Sequence, residues 1–305
     1  MSWIFRIFCL CFSITLTISC QPEKPLYEDH ILVLGHTYRW GAEIGKVDEQ
    51  LEHIDYGQFN EVWLLGDVCA ATDREESHLQ YLDSLFGLSE DRVKWAIGNH
   101  DIRDENPDLI KKYTGKEFFY GSIQDNYAVY VLNSQAHYAP FKDSCDFFAR
   151  QDEDFRNFLR RVQSMGPDQI HSLFVLSHNP VWSDTEASLE ALPLIGNAAA
   201  GWIDLVCLWN GEFRNQYFDT LAAIQKQGIQ VHCVAGDGGQ YAKKFYHEGA
   251  SGIKYYVTGI NNSVLKYSDE RTIKKFNTNP DSVLLFRKTL EGKSFTGEFI
   301  PLDKL

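Results

Sequence analysis

Residues 98–101 read Gly-Asn-His-Asp and close the apolar run Val93 to Ile97. Asn99 offers an amide oxygen to a hard cation. His100 can give or take a proton near neutral pH. Asp101 can hold that imidazole in one tautomer, as carboxylate partners do for other working histidines. Alone, the four residues read equally well as a strand end closed by a polar turn, glycine tolerating unusual φ. Other short apolar runs end in the same way. They give Gly35-His36-Thr37-Tyr38, Gly66-Asp67, Ser177-His178-Asn179-Pro180 and Gly236-Asp237-Gly238-Gly239. Carboxylate, amide, imidazole and phenolate groups are all ligands for divalent or transition metals. His36, Tyr38, Asp67, Asn99, His178 and Asp237 are therefore candidate ligands, and His100 with Asp101 a candidate proton-transfer pair. Each has a plainer reading. His36 can be a hydrogen-bonded strand-end histidine, Tyr38 can pack beside Trp40, and Asp-Gly-Gly is a good turn.

The elements that must position these residues follow from hydrophobic pattern. His30 to Leu34, Glu61 to Leu65, Val93 to Ile97, Leu173 to Leu176 and Val231 to Ala235 are short, β-rich apolar runs, the pattern of buried strands. Helical spacing occurs at Gly45 to Ile54, His78 to Phe86, Ser144 to Val162 and Tyr217 to Gln227. Phe118 to Tyr120 and Tyr127 to Ser134 read as a hairpin. Ile253 to Val257, Ser282 to Phe286 and Phe299 to Pro301 continue the β pattern. Strands alternating with helices, with chemistry-bearing residues after the strands, predict an α/β sheet with its site at the carboxyl ends. Residues 183–211 are the least regular and hold Trp202 and Trp209, with Trp182 just before them. These aromatics can wall a site or belong to the core.

In order and spacing, these motifs resemble those of the calcineurin-like metallophosphoesterases, over nearly all of the chain beyond its first thirty residues. That family carries Asp-x-His, Gly-Asp, Gly-Asn-His-(Asp/Glu), a His and Gly-His-x-His on successive loops. The resemblance implies an α-β-β-α sandwich of two packed mixed sheets with helices outside. It implies that Asp67 bridges two metal ions and that Asn99 and His178 bind the second. It makes His100 the residue that assists the leaving oxygen, with Asp101 as its orienting partner. Mn, Fe, Zn or Mg, one or two per chain, are the implied cofactors. The implied reaction is hydrolysis of a phosphoester, small or linked to a glycan or lipid.

The sequence departs from the pattern twice. His36-x-Tyr38 stands for Asp-x-His, and Gly236-Asp237-Gly238-Gly239 for Gly-His-x-His. An Asp and a His have in effect changed places, so the formal charge of the set is roughly kept. In the related purple acid phosphatases a ferric ion takes a Tyr ligand, though from a different motif. His232, Gln240 or His247 can replace the lost histidine. The alternative is a non-catalytic binding or scaffold protein on the same fold, its first metal site degraded.

Composition sets the compartment and the partners. The 305 residues are 44% hydrophobic, enough for a large core, and the net charge is -13. With no Lys/Arg block, such a surface repels nucleic acid. Arg6 precedes the apolar run Ile7 to Ile18, then Ser19 and Cys20. That is the layout of a secretory signal, too short for a spanning helix. Small residues before Cys20 resemble a bacterial lipobox, Leu16 lying one place further out than usual. The expected division is residues 1–19 as signal, 20–29 as lipidated Cys20 and tether, and 30–305 as one phosphoesterase-like domain. The protein is then an exported, membrane-anchored lipoprotein of the cell envelope; a plain secreted form and an N-terminal anchor are the other readings. Cys69, Cys145, Cys207 and Cys233 are too scattered for a zinc motif, and Cys69 and Cys233 read as buried thiols. If Cys20 carries the lipid, Cys20→Ala shifts the protein out of the membrane fraction or leaves it unprocessed. Membrane retention of a cleaved Cys20→Ala protein in cell fractionation would remove the lipid anchor.

Overall fold

The computed structural model describes residues 27–39, 44–135, 145–183, 185–186, 213–238, 243–260, 279–289 and 292–305. The signal, Cys20, Trp40, Trp202, Trp209 and Gln240 lie outside these residues. The strands are β1 (Tyr27–Leu34), β2 (Glu61–Leu64), β3 (Val93–Trp95), β4 (Tyr120–Ile123), β5 (Tyr127–Val131) and β6 (Ser172–Ser177). They continue with β7 (Gln230–Ala235), β8 (Lys244–Glu248), β9 (Lys254–Thr258), β10 (Ser282–Thr289) and β11 (Phe295–Pro301). The helices are α1 (Glu76–Phe86), α2 (Pro107–Thr114), α3 (Cys145–Met165) and α4 (Asp219–Lys226). Among the described residues no helix is long and apolar enough to cross a membrane.

The strands form two mixed sheets, ordered β11-β10-β1-β2-β3 and β4-β5-β6-β7-β9-β8. In the first, β1, β2 and β3 run parallel while β10 and β11 are antiparallel additions. In the second, β5, β6, β7 and β9 run parallel and the outer strands β4 and β8 antiparallel. Period-two alternation divides each strand between two layers. Ile31, Val33 and Trp63 from one sheet meet Val129, Phe174, Leu176 and Val234 from the other in an inner apolar layer. Their neighbours Leu32, Leu34, Val62 and Leu64 face outward and share a cluster with Leu79, Leu82 and Phe86 of α1. Phe155, Leu159 and Val162 of α3 cover the second sheet's outward residues in the same way. Each such side chain, fully buried, contributes roughly 1.5–3 kcal/mol. The result is the α/β sandwich that the sequence implies.

Several local expectations need correction. Residues 45–54 do not form an α-helix; the short 3-10 turns Glu49–His53 and Tyr56–Gln58 stand there. Asp48 and Asp55 bond the amides of Gln50 and Gly57, so each starts a new turn instead of continuing a helix. Pro107 and the left-handed Gly115 delimit α2, which the apolar pattern alone did not show. Strand β8 alternates between exposed and half-buried residues and was equally hidden. Trp182 is fully buried against Tyr255, hence core. Cys69 and Cys233 are buried free thiols, as expected, with burial pushing the Cys69 thiol up to about 12.

His232 is not a site residue. It sits in the inner layer, stacked on Phe174 at 4.6 Å and edge-on to Phe286 at 5.5 Å, with neither ring nitrogen hydrogen-bonded. His247 lies opposite Tyr255 near the amino end of β9, away from the strand ends that carry the motifs. Burial, helped by the charge of Lys254, lowers the His232 pKa to about 3. The unfolded chain therefore takes up a proton below about pH 6.5 that the folded state refuses. Stability is complete above that value and falls as pH drops towards 3, by at most about 1.4 kcal/mol per pH unit from this group. His232→Leu flattens that slope: between pH 7 and 5 the variant loses about 2 kcal/mol less than the parent in urea melts. Parallel acid slopes for the two proteins would refute the assignment.

Candidate functional site

The carboxyl ends of β1, β2 and β3 from one sheet and of β6 and β7 from the other converge on Asp67. Close backbone contact joins them. The His36 amide donates to Gly66 O at 3.0 Å and the Thr37 amide to Asp67 O at 2.9 Å. The amides of Gly236 and Asp237 both donate to His178 O, at 2.9 and 3.0 Å. Two glycines make the convergence possible. A Cβ on Gly236 would lie 1.9 Å from Leu65 O, and one on Gly66 would lie 2.4 Å from His178 Nδ1. Gly66 also has φ +82, a conformation that side chains resist. His36 and Asp67 adopt left-handed backbone without being glycine, at φ 52 and 54. Such conformations cost roughly 1–3 kcal/mol each and cluster at functional sites.

Asp101 supplies the constraint. Its carboxylate is fully buried and accepts from the amides of Asp67 (3.0 Å), Val68 (2.8 Å) and Gly98 (2.9 Å). The Thr72 hydroxyl and the Trp95 indole add contacts at 3.2 and 3.4 Å. This corrects the expectation that Asp101 orients His100. Its oxygens face the loops after β2 and β3, and His100 Nδ1 is buried without a hydrogen-bond partner. Burial, and then the neighbouring Asp67, push the Asp101 carboxyl up to about 7.

Asp67 stands between two imidazoles. Its Oδ1 lies 3.5 Å from His178 Nε2 and its Oδ2 lies 3.9 Å from His36 Nε2. All three side chains are buried. Both distances exceed an N–H···O hydrogen bond of about 2.7–3.2 Å. Two donors about 2.1 Å from one ion at a tetrahedral angle are roughly 3.4 Å apart. The His178 spacing matches such a pair, while the His36 spacing is longer. His178 Nδ1 is held at 2.9 Å by Leu65 O, while its buried Nε2 has no hydrogen-bond partner. A backbone carbonyl on one ring nitrogen leaves the other's lone pair for a cation, as in metal-binding histidines. His36 Nδ1 lies 3.4 Å from Ile260 O. Among the described residues no group of three or more His, Cys, Asp or Glu side chains is placed to hold a metal ion. Asp237 is bonded to Asn179, and Asn99 is only half-buried. In donor type Asp67, His36 and His178 suit a cation, and in spacing the Asp67–His178 pair does.

A buried polar relay stands behind Asp237. Its Oδ2 accepts from Asn179 Nδ2 at 3.0 Å. Asn179 Oδ1 accepts from Gln135 Nε2 at 2.8 Å and from the Ser134 hydroxyl at 3.0 Å. The Gln135 amide donates to Asn133 Oδ1, and the Asn133 amide to Gln151 Oε1, each at 2.8 Å. The sequence pattern did not single out Asn179 or Gln135 as members of this relay. The only available signal was their position next to His178 and at the end of the β5 run. Tyr38 packs against two site rings. It stacks on His100 at 4.4 Å and 15° and is tilted to His36 at 4.8 Å.

The electrostatics follow from burial and these neighbours. Burial lowers His36 to about 4 against the attraction of Asp67. Burial would raise Asp67, but the His178, His100 and His36 imidazoles together outweigh it and hold the carboxylate below its usual range. His178 is driven up despite burial, by Asp67 and Asp237. Burial raises Asp237 to about 7 against the pull of His178. A bound cation reverses this logic, favouring ionised carboxylates and neutral imidazoles.

No protein-family profile and no curated protein matches the sequence. Among solved structures the chain is similar to Vps29 from Chaetomium thermophilum, at TM-score 0.33 and 11% identity, covering 90% of this chain and 97% of that one. A single mutant of Vps29 from Entamoeba histolytica gives TM-score 0.31 and 11% identity, with coverage of 89% and 98%. Wild-type Vps29 from the same organism, complexed with zinc, gives TM-score 0.30 and 10% identity, with coverage of 90% and 99%.

The distinct places of Asp101 and His100 are separable by mutation. Asp101→Ala removes an acceptor from buried amides and is expected to cost about 2–4 kcal/mol in urea melts run with chelator. His100→Ala, at a half-buried ring with no hydrogen bond to lose, costs less than about 1 kcal/mol. Equal losses would contradict the structural assignment of Asp101.

Proposed function

We propose that the protein is a cation-dependent phosphoester hydrolase of the calcineurin-like type, exported and tethered to the membrane through Cys20. Residues 30–305 form its phosphoesterase unit. One observation carries this reading: the two oxygens of buried Asp67 face two imidazole Nε2 atoms, at 3.5 and 3.9 Å. Asp67, Asn99, His178 and Asp237 would hold one ion, and His36 would serve a second. The chemistry supplied by a bound Mn, Fe, Zn or Mg ion is neutralisation of phosphoryl charge and activation of water. It also gives a chain of net charge -13 a local attraction for an anionic ester. His100 donates the proton to the departing oxygen. The substrate is a small, glycan-linked or lipid-linked phosphoester, and nucleic acid is disfavoured by the overall charge.

A second reading has its own support. Among the described residues no carboxylate bonds the His100 ring, Asp101 bonding the loop amides instead. That favours a non-catalytic binding protein on the same fold.

The deciding measurements are metal content per chain and hydrolysis of an aryl phosphate monoester and diester across Mn, Fe, Zn and Mg. Asp67→Asn and His178→Ala are expected to abolish metal-dependent turnover, lose bound metal and lower Tm in metal-replete buffer, since a ligand stabilises the state that binds it. His36→Asp and Asp237→His are each expected to reduce activity, and the double mutant to recover more than the singles forecast, because residues of one site are coupled. An inactive parent with no bound metal, and variants indistinguishable from it, would establish the binding-protein reading.

A further inference from the structure

His100 lacks the carboxylate that would set its ring, yet it is firmly placed. Its amide donates to Asp67 Oδ1 at 2.8 Å, and its carbonyl accepts from the Ala71 amide at 2.7 Å. These fix the backbone alone. The ring lies face to face with Tyr38, centroids 4.4 Å apart and planes within 15°. Tyr38 is itself pinned. Its amide donates to Asp67 O at 3.1 Å, and it forms an isolated antiparallel bridge with Val47. The His36 ring leans on it at 4.8 Å and 56°, and the residue is 6% exposed.

We propose that Tyr38 is a positioning residue: its ring is the platform that sets the plane of the His100 imidazole, in place of a hydrogen-bonding carboxylate. Offset stacking of two rings is directional, so it restricts the tilt of the imidazole. A face contact uses neither ring nitrogen. The proton that the imidazole carries is then not committed to a protein acceptor and stays free for a leaving oxygen. The Tyr at 38, where the resembled pattern has His, thus answers the use of Asp101 elsewhere. The catalytic consequence rests on the phosphoesterase reading; the stack itself does not.

The experiment therefore reads both. The full chain is labelled with 13C,15N-histidine, and the His100 ring signals are assigned by their loss in His100→Gln. In the parent protein they are shifted upfield by the Tyr38 ring current. Tyr38→Phe retains the shift, while Tyr38→Leu and Tyr38→Met abolish it. On an aryl phosphate, Tyr38→Leu lowers kcat roughly tenfold or more with KM and metal content unchanged, and Tyr38→Phe recovers most of the loss. Unshifted His100 signals in the parent would overturn the proposal. So would loss of a bound metal in Tyr38→Phe, which would make the phenol a ligand, or an unchanged kcat in Tyr38→Leu. A parent protein without turnover refutes the phosphoesterase reading, while the His100 shifts still decide the stack. If neither aliphatic variant folds, the parent, Tyr38→Phe and His100→Gln spectra decide it.

Discussion

A buried carboxylate tied to three loop amides organises the site. Asp101 lies under the turns that follow β2 and β3 and accepts from Asp67, Val68 and Gly98. Those amides would otherwise be orphaned, at a cost of about 1–3 kcal/mol each. Satisfying them with one acceptor fixes both turns relative to each other. Asp67 is then held with its backbone left-handed and its carboxylate aimed into the space between the sheets' carboxyl ends. The arrangement sets two carboxylates close together in a buried place, which is why Asp101 is raised while Asp67 is held down by imidazoles. Stability and site geometry are thus bound together in one side chain.

The sandwich makes this arrangement two-sided. Asp67 comes from the first sheet, whereas His178 and Asp237 come from the second. Contact between them needs the loops to approach at backbone distance, hence the glycines at 66 and 236, where any Cβ would collide with the opposite loop. The inner apolar layer draws from both sheets and holds them at the separation at which these loops touch. His232, in the middle of that layer, has no hydrogen bond on either ring nitrogen.

Much of this was legible in the chain. The strands carrying His36, Asp67, Asn99, His178 and Asp237 are short β-branched runs bounded by Gly or Ser, so the sequence located them and the glycines marked close approach. What it could not show depends on contacts between distant segments. Asp101 follows His100 directly, and adjacency suggested a pair; only the fold reveals that its oxygens face Val68, some thirty residues away. The loss of helix at 45–54 turns on Asp48 and Asp55 capping short turns, a local competition that apolar spacing does not register. The relay through Asn133, Gln135 and Asn179 uses residue types common in any loop, and its partners lie on segments distant in the sequence.

The exchange of Asp and His between the first and fifth motifs also acquires a physical sense. Asp237 is buried, and a buried carboxylate without partners is costly. The relay from Gln151 through Asn133, Gln135 and Asn179 gives it one oriented donor from a side chain whose own amide oxygen is already satisfied. At motif one, in contrast, burial lowers His36 to about 4, and its ring meets Ile260 O, Asp67 and the Tyr38 ring. Negative charge therefore gathers on the His178 side of Asp67, where two carboxylates face one imidazole, and is thin on the His36 side. On the proposed reading the two oxygens of Asp67 are unequal hosts. A cation would meet the carboxylates of Asp67 and Asp237 on one side and that of Asp67 alone on the other, and in a buried site Coulomb attraction is only weakly screened. On that reading the His178 side would take the first ion and the His36 side a second only at higher metal concentration.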